Sequence, residues 1–110
     1  IMYGSQDFEI ITDIFKENVP GLKTLVLFGS YSRGTATDES DADVAAIVDR
    51  EITREEKLHI LGKLWNILGK KGYCVDIILK NENQFNQDKT INFTVSHSIN
   101  SDGKILWMRN

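Results

Sequence analysis

The sequence contains one cysteine and one proline, and no apolar run approaches the roughly 20 residues needed to cross a bilayer. The lone Cys74 cannot form an internal disulfide, which is typical of a reducing compartment, and its place in an apolar run predicts a buried, inert thiol. The amino-terminal IMYGSQ lacks the basic and apolar regions of a secretory signal peptide. We therefore expect a cytoplasmic protein with no membrane segment.

The chain also lacks a strong excess of either charge. Its 13 Lys and Arg residues stand against 16 Asp and Glu residues, for a net charge of −3. A protein that grips a nucleic-acid template is typically basic, so we expect no direct nucleic-acid substrate. The length of 110 residues predicts one domain over 1–110, with no room for a separate substrate domain.

Apolar periodicity predicts the order helix, strand, strand, helix, strand, helix, strand. The strands are expected at residues 24–28, 44–48, 74–79 and 104–108. The helices are expected from Ser5 to about 18, from a capping box at Thr53 to about 69, and more weakly within 83–100. The second helix is expected to bury a face that includes Leu58, Leu61, Trp65 and Leu68. Because helices must cover the sheet, the fold class is α/β or α+β.

The most informative stretch is GSYSRGTATDESDAD, residues 29–43, between the first two predicted strands. Gly29 directly after a strand permits a sharp turn, and the amides that follow form a concavity suited to phosphate. Ser30 adds a hydroxyl donor, and Arg33 a guanidinium that either binds a phosphate oxygen or clamps the loop. Two further residues of this turn are predicted to lie at the surface: Tyr31 and Ser32.

Three aspartates are the candidate metal ligands. Asp41 and Asp43 are spaced i and i+2 in an extended segment, so their side chains face the same way, with Cα atoms about 6.6 Å apart. Asp76 interrupts the apolar run CVDIIL, where an unpaired charge is costly. On a neighbouring strand about 4.8 Å away, Asp76 would complete a cluster able to hold two divalent ions. Ser40 is expected to hydrogen-bond the loop or a carboxylate and turn Asp41 inward.

A plainer interpretation remains open at this point. Asp41 and Asp43 could be solvated loop residues, since Asp38 and Glu39 lie beside them, and Asp76 could be a strand residue that faces solvent.

Taken in order, these residues resemble the signature of the nucleotidyltransferase superfamily typified by DNA polymerase β: Gly29-Ser30, Arg33-Gly34, Ser40-Asp41, Asp43 and Asp76. The chain length and the ending SINSDGKILWM resemble the minimal nucleotidyltransferases, the MNT family, small proteins encoded beside an all-helical HEPN partner. The resemblance covers nearly the whole chain. It implies a small mixed β-sheet with helices packed on it.

The resemblance also implies roles for the site residues. Asp41 and Asp43 would bind two Mg²⁺ or Mn²⁺ ions, and Asp76 would bind the catalytic ion and orient the acceptor hydroxyl. Gly29 and Ser30, with Ser40 nearby, would hold the triphosphate of a nucleotide, expected to be ATP, while Arg33 supports that loop. The implied reaction is attack of the hydroxyl on the α-phosphate with loss of pyrophosphate.

Several functions stay open from the sequence. By resemblance, the first is transfer of AMP to a HEPN toxin, which would make this chain the antitoxin of a toxin–antitoxin system. The second is a non-catalytic module that neutralises its partner by contact. The third is a small-molecule nucleotidyltransferase of the aminoglycoside type, which would need a helical domain from a partner subunit. Trp107 and Met108 offer an apolar surface for a homo-oligomer.

Overall fold

The computed structural model describes residues 2–91 and 94–110, which form four strands and five helices. The strands are β1 (Leu22–Phe28), β2 (Ala42–Val48), β3 (Val75–Asn81) and β4 (Lys104–Met108). The helices are α1 (Ser5–Asn18), α2 (Gly29–Arg33), α3 (Arg54–Lys70), α4 (Glu82–Asp88) and α5 (Val95–Asp102). None of the helices in this described part is long and apolar enough to cross a bilayer.

The predicted strands and the first two predicted helices are confirmed, and two elements differ. A short helix, α2, follows β1 where the sequence indicated only a turn. The region 83–100 forms two helices, α4 and α5, instead of one. Residues 92 and 93, which that prediction included, lie outside the described residues. The reason for the break is local: Asn81 and Thr94 each accept a hydrogen bond from a backbone N–H three residues later, which starts a new helix at each.

The sheet is mixed, with the strand order β3-β2-β1-β4. β1 is antiparallel to both β2 and β4, whereas β2 and β3 are parallel and are joined by α3. This confirms the predicted α/β class and the mixed sheet. Because β2 and β3 are parallel, their amino-terminal ends lie together at one edge of the sheet, next to the carboxyl end of β1.

Both faces of the sheet are covered, which explains why β2 is apolar at nearly every position. One face packs on α1 and α3 and buries alternate strand residues such as Leu25, Val44 and Val48. The other face buries Ala45 and Ile47 against Ile99 of α5 and the neighbouring aromatic residues. Since side chains alternate along a strand, Asp43 points to the same face as Ala45 and Ile47.

The prediction for α3 is wrong at two residues. Leu58 is 58% exposed and Trp65 is 51% exposed, whereas Ile60, Leu61, Leu64 and Leu68 are buried. On a helical wheel the buried residues centre on a narrow stripe, and Trp65 and Leu58 lie roughly 90–110° from its centre. A helix that rests on a sheet buries only a narrow stripe of its surface. The side chains of Leu58 and Trp65 lie beyond this stripe and are exposed to solvent.

Cys74 is also placed differently from the prediction. The thiol was expected in the third strand and buried, but β3 begins at Val75 and Cys74 is exposed. The apolar run in the sequence therefore starts one residue before the sheet does. The backbone of Cys74 is nevertheless engaged, because its N–H donates a hydrogen bond to the hydroxyl of Tyr3 at 2.8 Å.

Candidate active site

Asp43 and Asp76 are direct neighbours across the parallel strand pair. Their Cα atoms are partners in the register of β2 and β3. On its other side Asp43 is paired with Phe28, the last residue of β1. The expectation that Asp76 lies on the strand next to that of Asp43 is therefore confirmed. Gly29 follows Phe28, so the glycine turn and the two aspartates meet at one edge of the sheet.

The carboxyl group of Asp43 carries the clearest electrostatic signal of this site. Its partial burial raises its pKa, and so do the negative charge of Asp76, a hydrogen bond shared with Asp76 and the charge of Asp41. Arg33 acts in the opposite direction and lowers the pKa of Asp43. The structure thus brings three predicted residues within electrostatic reach of Asp43: Arg33, Asp41 and Asp76.

Gly29 is a glycine because Asp43 occupies the space beside it. Its φ of +72° lies in the left-handed region that L side chains rarely adopt. A Cβ at this position would overlap Oδ2 of Asp43 and lie 3.0 Å from its Cγ. The backbone at Gly29 is therefore in contact with the carboxylate, and any side chain would displace one of the two.

Helix α2 begins at Gly29 and presents its first turn to this edge of the sheet. Among the described residues, no side chain caps it, since the N-cap position is Phe28. The amides of a first turn without a cap are suited to an anionic oxygen. Ser30 lies in this turn and is half-buried. The helix ends at Gly34, whose φ of +77° and N–H bond to the Ser30 carbonyl turn the chain away.

Arg33 is exposed at the end of α2. Its positive charge lies close enough to Asp43 to lower the pKa of that carboxyl group. Arg33 therefore places a positive charge near Asp43, where the same charge would also attract the phosphate oxygens of a nucleotide.

Ser40 shapes the loop before β2. Its hydroxyl accepts a hydrogen bond from Thr37 N at 2.9 Å, and its own N–H donates to the Thr37 carbonyl at 3.0 Å. These bonds close a tight turn over residues 37–40 immediately before Asp41. Of the two roles considered for Ser40, the described contacts correspond to holding the loop.

Ser40→Ala is expected to lower the nucleotide transfer that the motif resemblance implies by about three- to tenfold, because loss of one such bond costs about 0.5–1.5 kcal/mol. Ser40→Thr keeps the hydroxyl and should retain most of the rate. Initial rates at saturating nucleotide measure the difference. Equal rates in the alanine and threonine variants, both as fast as the wild type, would show that the turn does not position Asp41.

The donor set at this edge fits a hard divalent cation. Mg²⁺ prefers carboxylate oxygens and commonly binds through one or two of them, completing its shell with water and phosphate. Asp43 and Asp76 supply such a pair, and Asp41 adds negative charge near it. Within residues 2–91 and 94–110, however, no three His, Cys, Asp or Glu side chains converge as a ready-made metal cage. Asp41 is exposed at the end of the loop, and the predicted three-carboxylate cluster with Asp43 and Asp76 is not assembled among the described residues.

Two residues near the site were assigned to the surface from the sequence, and the structure corrects both. Ser32 is buried, and its hydroxyl donates to the carbonyl of Asp102 at the end of α5. Tyr31 is half-buried, and its ring stacks on Tyr3 with centroids 5.7 Å apart. The partners are 70 and 28 residues away along the chain, so no local pattern could have indicated these contacts.

A comparison with known families agrees with this geometry. Residues 9–100 match the family described as "Nucleotidyltransferase domain". The chain belongs to this family. The match covers all seven predicted site residues, from Gly29 to Asp76, and it confirms the superfamily that the motif indicated. This family consists of nucleotidyltransferases, which is the enzyme class predicted from the sequence.

Two curated relatives of this nucleotidyltransferase carry adenylyltransferase names. MJ0604 of Methanocaldococcus jannaschii, provisionally named a protein adenylyltransferase, is 30% identical over 86 residues, which cover 78% of this chain and 79% of that protein. Protein adenylyltransferase MntA of Shewanella oneidensis is 26% identical over 97 residues, which cover 88% of this chain. The chain spans 62% of the length of MntA.

Solved structures confirm the fold. A toxin–antitoxin crystal structure with AMP-PNP superposes with a TM-score of 0.67 at 24% identity, over 94% of this chain and 75% of that one. A tri-AMPylated Shewanella oneidensis HEPN toxin in complex with its MNT antitoxin gives a TM-score of 0.59 at 22% identity, over 93% and 70% of the two chains. At these identities the likeness establishes the nucleotidyltransferase fold.

Proposed function

We propose that this nucleotidyltransferase transfers AMP from ATP to a hydroxyl group on a HEPN-type partner protein and so acts as an antitoxin. One observation carries the proposal. Asp43 and Asp76 share a register position on parallel strands, with the carboxylate of Asp43 against the backbone of Gly29 at the start of α2. Acidic side chains and the uncapped first turn of α2 therefore adjoin, as phosphoryl transfer requires.

The relatives support the choice of substrate and partner. MntA is named a protein adenylyltransferase, and one structural neighbour is a toxin–antitoxin complex that contains AMP-PNP, an ATP analogue. Another is a HEPN toxin modified with AMP and bound to an MNT antitoxin.

Each site residue has a role in this reaction. Amides of the first turn of α2, together with Ser30, bind phosphate oxygens of the nucleotide, and Arg33 balances their charge. Asp41 and Asp43 would hold the divalent ions, and Asp76 would hold the catalytic ion and orient the attacking hydroxyl. The ions, when bound, neutralise the charge that develops on the α-phosphate and on the leaving pyrophosphate. Ser40 keeps the turn that delivers Asp41.

The raised pKa of Asp43 is typical of a carboxylate whose negative charge is not balanced until a cation binds. Two carboxylates at neighbouring register positions repel each other, so their ionised forms are costly until a positive charge lies between them. A protein that used this edge only for docking would gain stability by replacing either aspartate. We further propose Mg²⁺ as the ion, one nucleotidyltransferase domain over residues 1–110, and a cytoplasmic location.

The test uses the purified protein with ATP labelled at the α-phosphate, Mg²⁺ and the HEPN protein encoded beside its gene. We expect label on the HEPN protein, none without Mg²⁺, and none from ATP labelled only at the γ-phosphate. The matched control is the double variant Asp41→Asn, Asp43→Asn, which should bind the partner but transfer no label.

Two other outcomes would contradict the proposal. A stable complex that inhibits the HEPN protein without any label would indicate a non-catalytic module. Label on an aminoglycoside, with none on the HEPN protein, would indicate a small-molecule enzyme.

A further inference from the structure

Tyr3 connects the two walls of the active site. Its backbone N–H donates a hydrogen bond to the Tyr31 hydroxyl at 3.1 Å, and its own hydroxyl accepts one from Cys74 N at 2.8 Å. Tyr31 lies on α2, and Cys74 directly precedes β3. A single residue thus joins α2, the helix proposed to bind the nucleotide's phosphates, to the strand that carries Asp76.

The same connection reaches the strand that carries Asp43. The carbonyl of Cys74 accepts a hydrogen bond from Ala42 N at 3.1 Å. Ala42 lies between Asp41 and Asp43 in the chain, and Cys74 lies two residues before Asp76. The hydrogen bonds therefore form a continuous path from α2 to the starts of both strands that bear the aspartates. We call this path, through Tyr31, Tyr3, Cys74 and Ala42, the Tyr3 strap.

Ring contacts hold Tyr3 in place on more than one side. Its ring stacks on Tyr31 with 7° between the ring planes, and it meets Tyr73 edge-on at 5.3 Å and Phe8 edge-on at 6.2 Å. A side chain fixed by two hydrogen bonds and three aromatic neighbours has little freedom to shift. Tyr3 also lines a cavity of about 210 Å³ whose wall includes Ser40 and Asp41.

We propose that Tyr3 is a positioning residue for nucleotide transfer, through which the Tyr3 strap sets the distance between α2 and the aspartates. This inference rests on the function proposed above. Phosphate held at α2 and metal held at the aspartates must meet in one geometry, and an error of about 1 Å can lower a rate about 100-fold. Tyr3 lies outside the residues 9–100 that match the family, so the family match assigns it no role.

The strap should govern the chemical step more than nucleotide binding. ATP can still bind when α2 and the aspartates are slightly misplaced relative to each other, but in-line attack then fails more often. Tyr3→Phe removes only the hydroxyl that accepts from Cys74 N and keeps the ring. We expect kcat to fall about tenfold, with the KM for ATP within about twofold of the wild type.

The chain offers a matched control in Tyr73→Phe. Tyr73 belongs to the same ring cluster, but its hydroxyl donates to Asp7 at 2.9 Å, away from the strap. This variant should keep the wild-type kcat. Tyr31→Phe removes the other acceptor of the strap, and the double variant Tyr3→Phe, Tyr31→Phe should lose less than the product of the two single losses.

Amide hydrogen exchange tests the strap without relying on transfer. In Tyr3→Phe the amides of Cys74 and Ala42 should exchange faster, and in Tyr73→Phe they should not. A Tyr3→Phe variant with the kcat of Tyr73→Phe would overturn the positioning role while leaving the proposed function intact. A wild type that transfers no AMP would refute the proposed function instead. That result would refute the positioning role of Tyr3 too, and unchanged amide exchange in Tyr3→Phe would overturn the strap as well.

Discussion

Asp43→Asn is expected to abolish nucleotide transfer while making the protein harder to unfold. The amide keeps the shape of the side chain but removes the charge that the cation needs, and we expect a rate at least about 1,000-fold below the wild type. The same change relieves repulsion from Asp76 and Asp41. Stabilisation at a functional site of this kind is typically about 0.5–2 kcal/mol.

The raised pKa of Asp43 determines how the stability difference between the wild type and Asp43→Asn changes with pH. Because the folded state raises the pKa of Asp43, it binds that proton more tightly than the unfolded chain does. Wild-type stability should therefore fall as the pH rises from the ordinary aspartate pKa through the raised one, and the loss is complete above it. Asp43→Asn lacks this loss. The difference in unfolding free energy between the two proteins should grow over that interval and then stay constant.

Urea denaturation in EDTA at a series of pH values measures the difference. Asp13→Asn, on the exposed face of α1, serves as the control for removing one negative charge elsewhere. Asp49, whose pKa is lowered by Arg50 and Arg109, titrates in every variant and cancels from the comparison. A wild type as stable as Asp43→Asn at neutral pH would show that the aspartates do not repel one another.

Gly29→Ala is expected to lower transfer by at least about 100-fold. Alanine must adopt a positive φ, which costs about 1–3 kcal/mol, and its Cβ must also displace the Asp43 carboxylate. The variant should therefore lose stability and misplace a proposed metal ligand, Asp43, at once. Steady-state transfer rates, together with the Mg²⁺ concentration at half-maximal rate, measure the second effect.

Gly72→Ala is the control that introduces backbone strain without displacing a carboxylate. Gly72 has a similar φ of +82°, but no atom lies within 4 Å of the position that a Cβ would take. It should lose comparable stability through backbone strain and keep transfer within a few-fold of the wild type. If Gly29→Ala loses no more activity than Gly72→Ala, the contact between Gly29 and Asp43 has no part in catalysis.

The sequence alone was sufficient to predict the strands that carry the candidate site residues because their signals are local. Spacing of i and i+2 in an extended segment predicts that Asp41 and Asp43 face the same way, and a charge inside an apolar strand marks Asp76. A capping box marks the start of α3, and the structure shows both of its bonds, each 3.1 Å long. Such features depend on neighbours a few residues apart, and a single sequence contains them completely.

Tertiary structure decided which surfaces of those elements are covered and what fastens them together. Trp65 lies outside because a helix on a sheet buries only a narrow stripe, and Cys74 lies outside because the sheet begins one residue later. Tyr3 and Ser32 bond to groups tens of residues away, and such contacts exist only once the sheet has brought its edges together. Amino-acid order thus determined the chemistry that residues 29–43 and Asp76 can perform, whereas packing determined how precisely that chemistry is held, because long-range distances have no signature in local sequence.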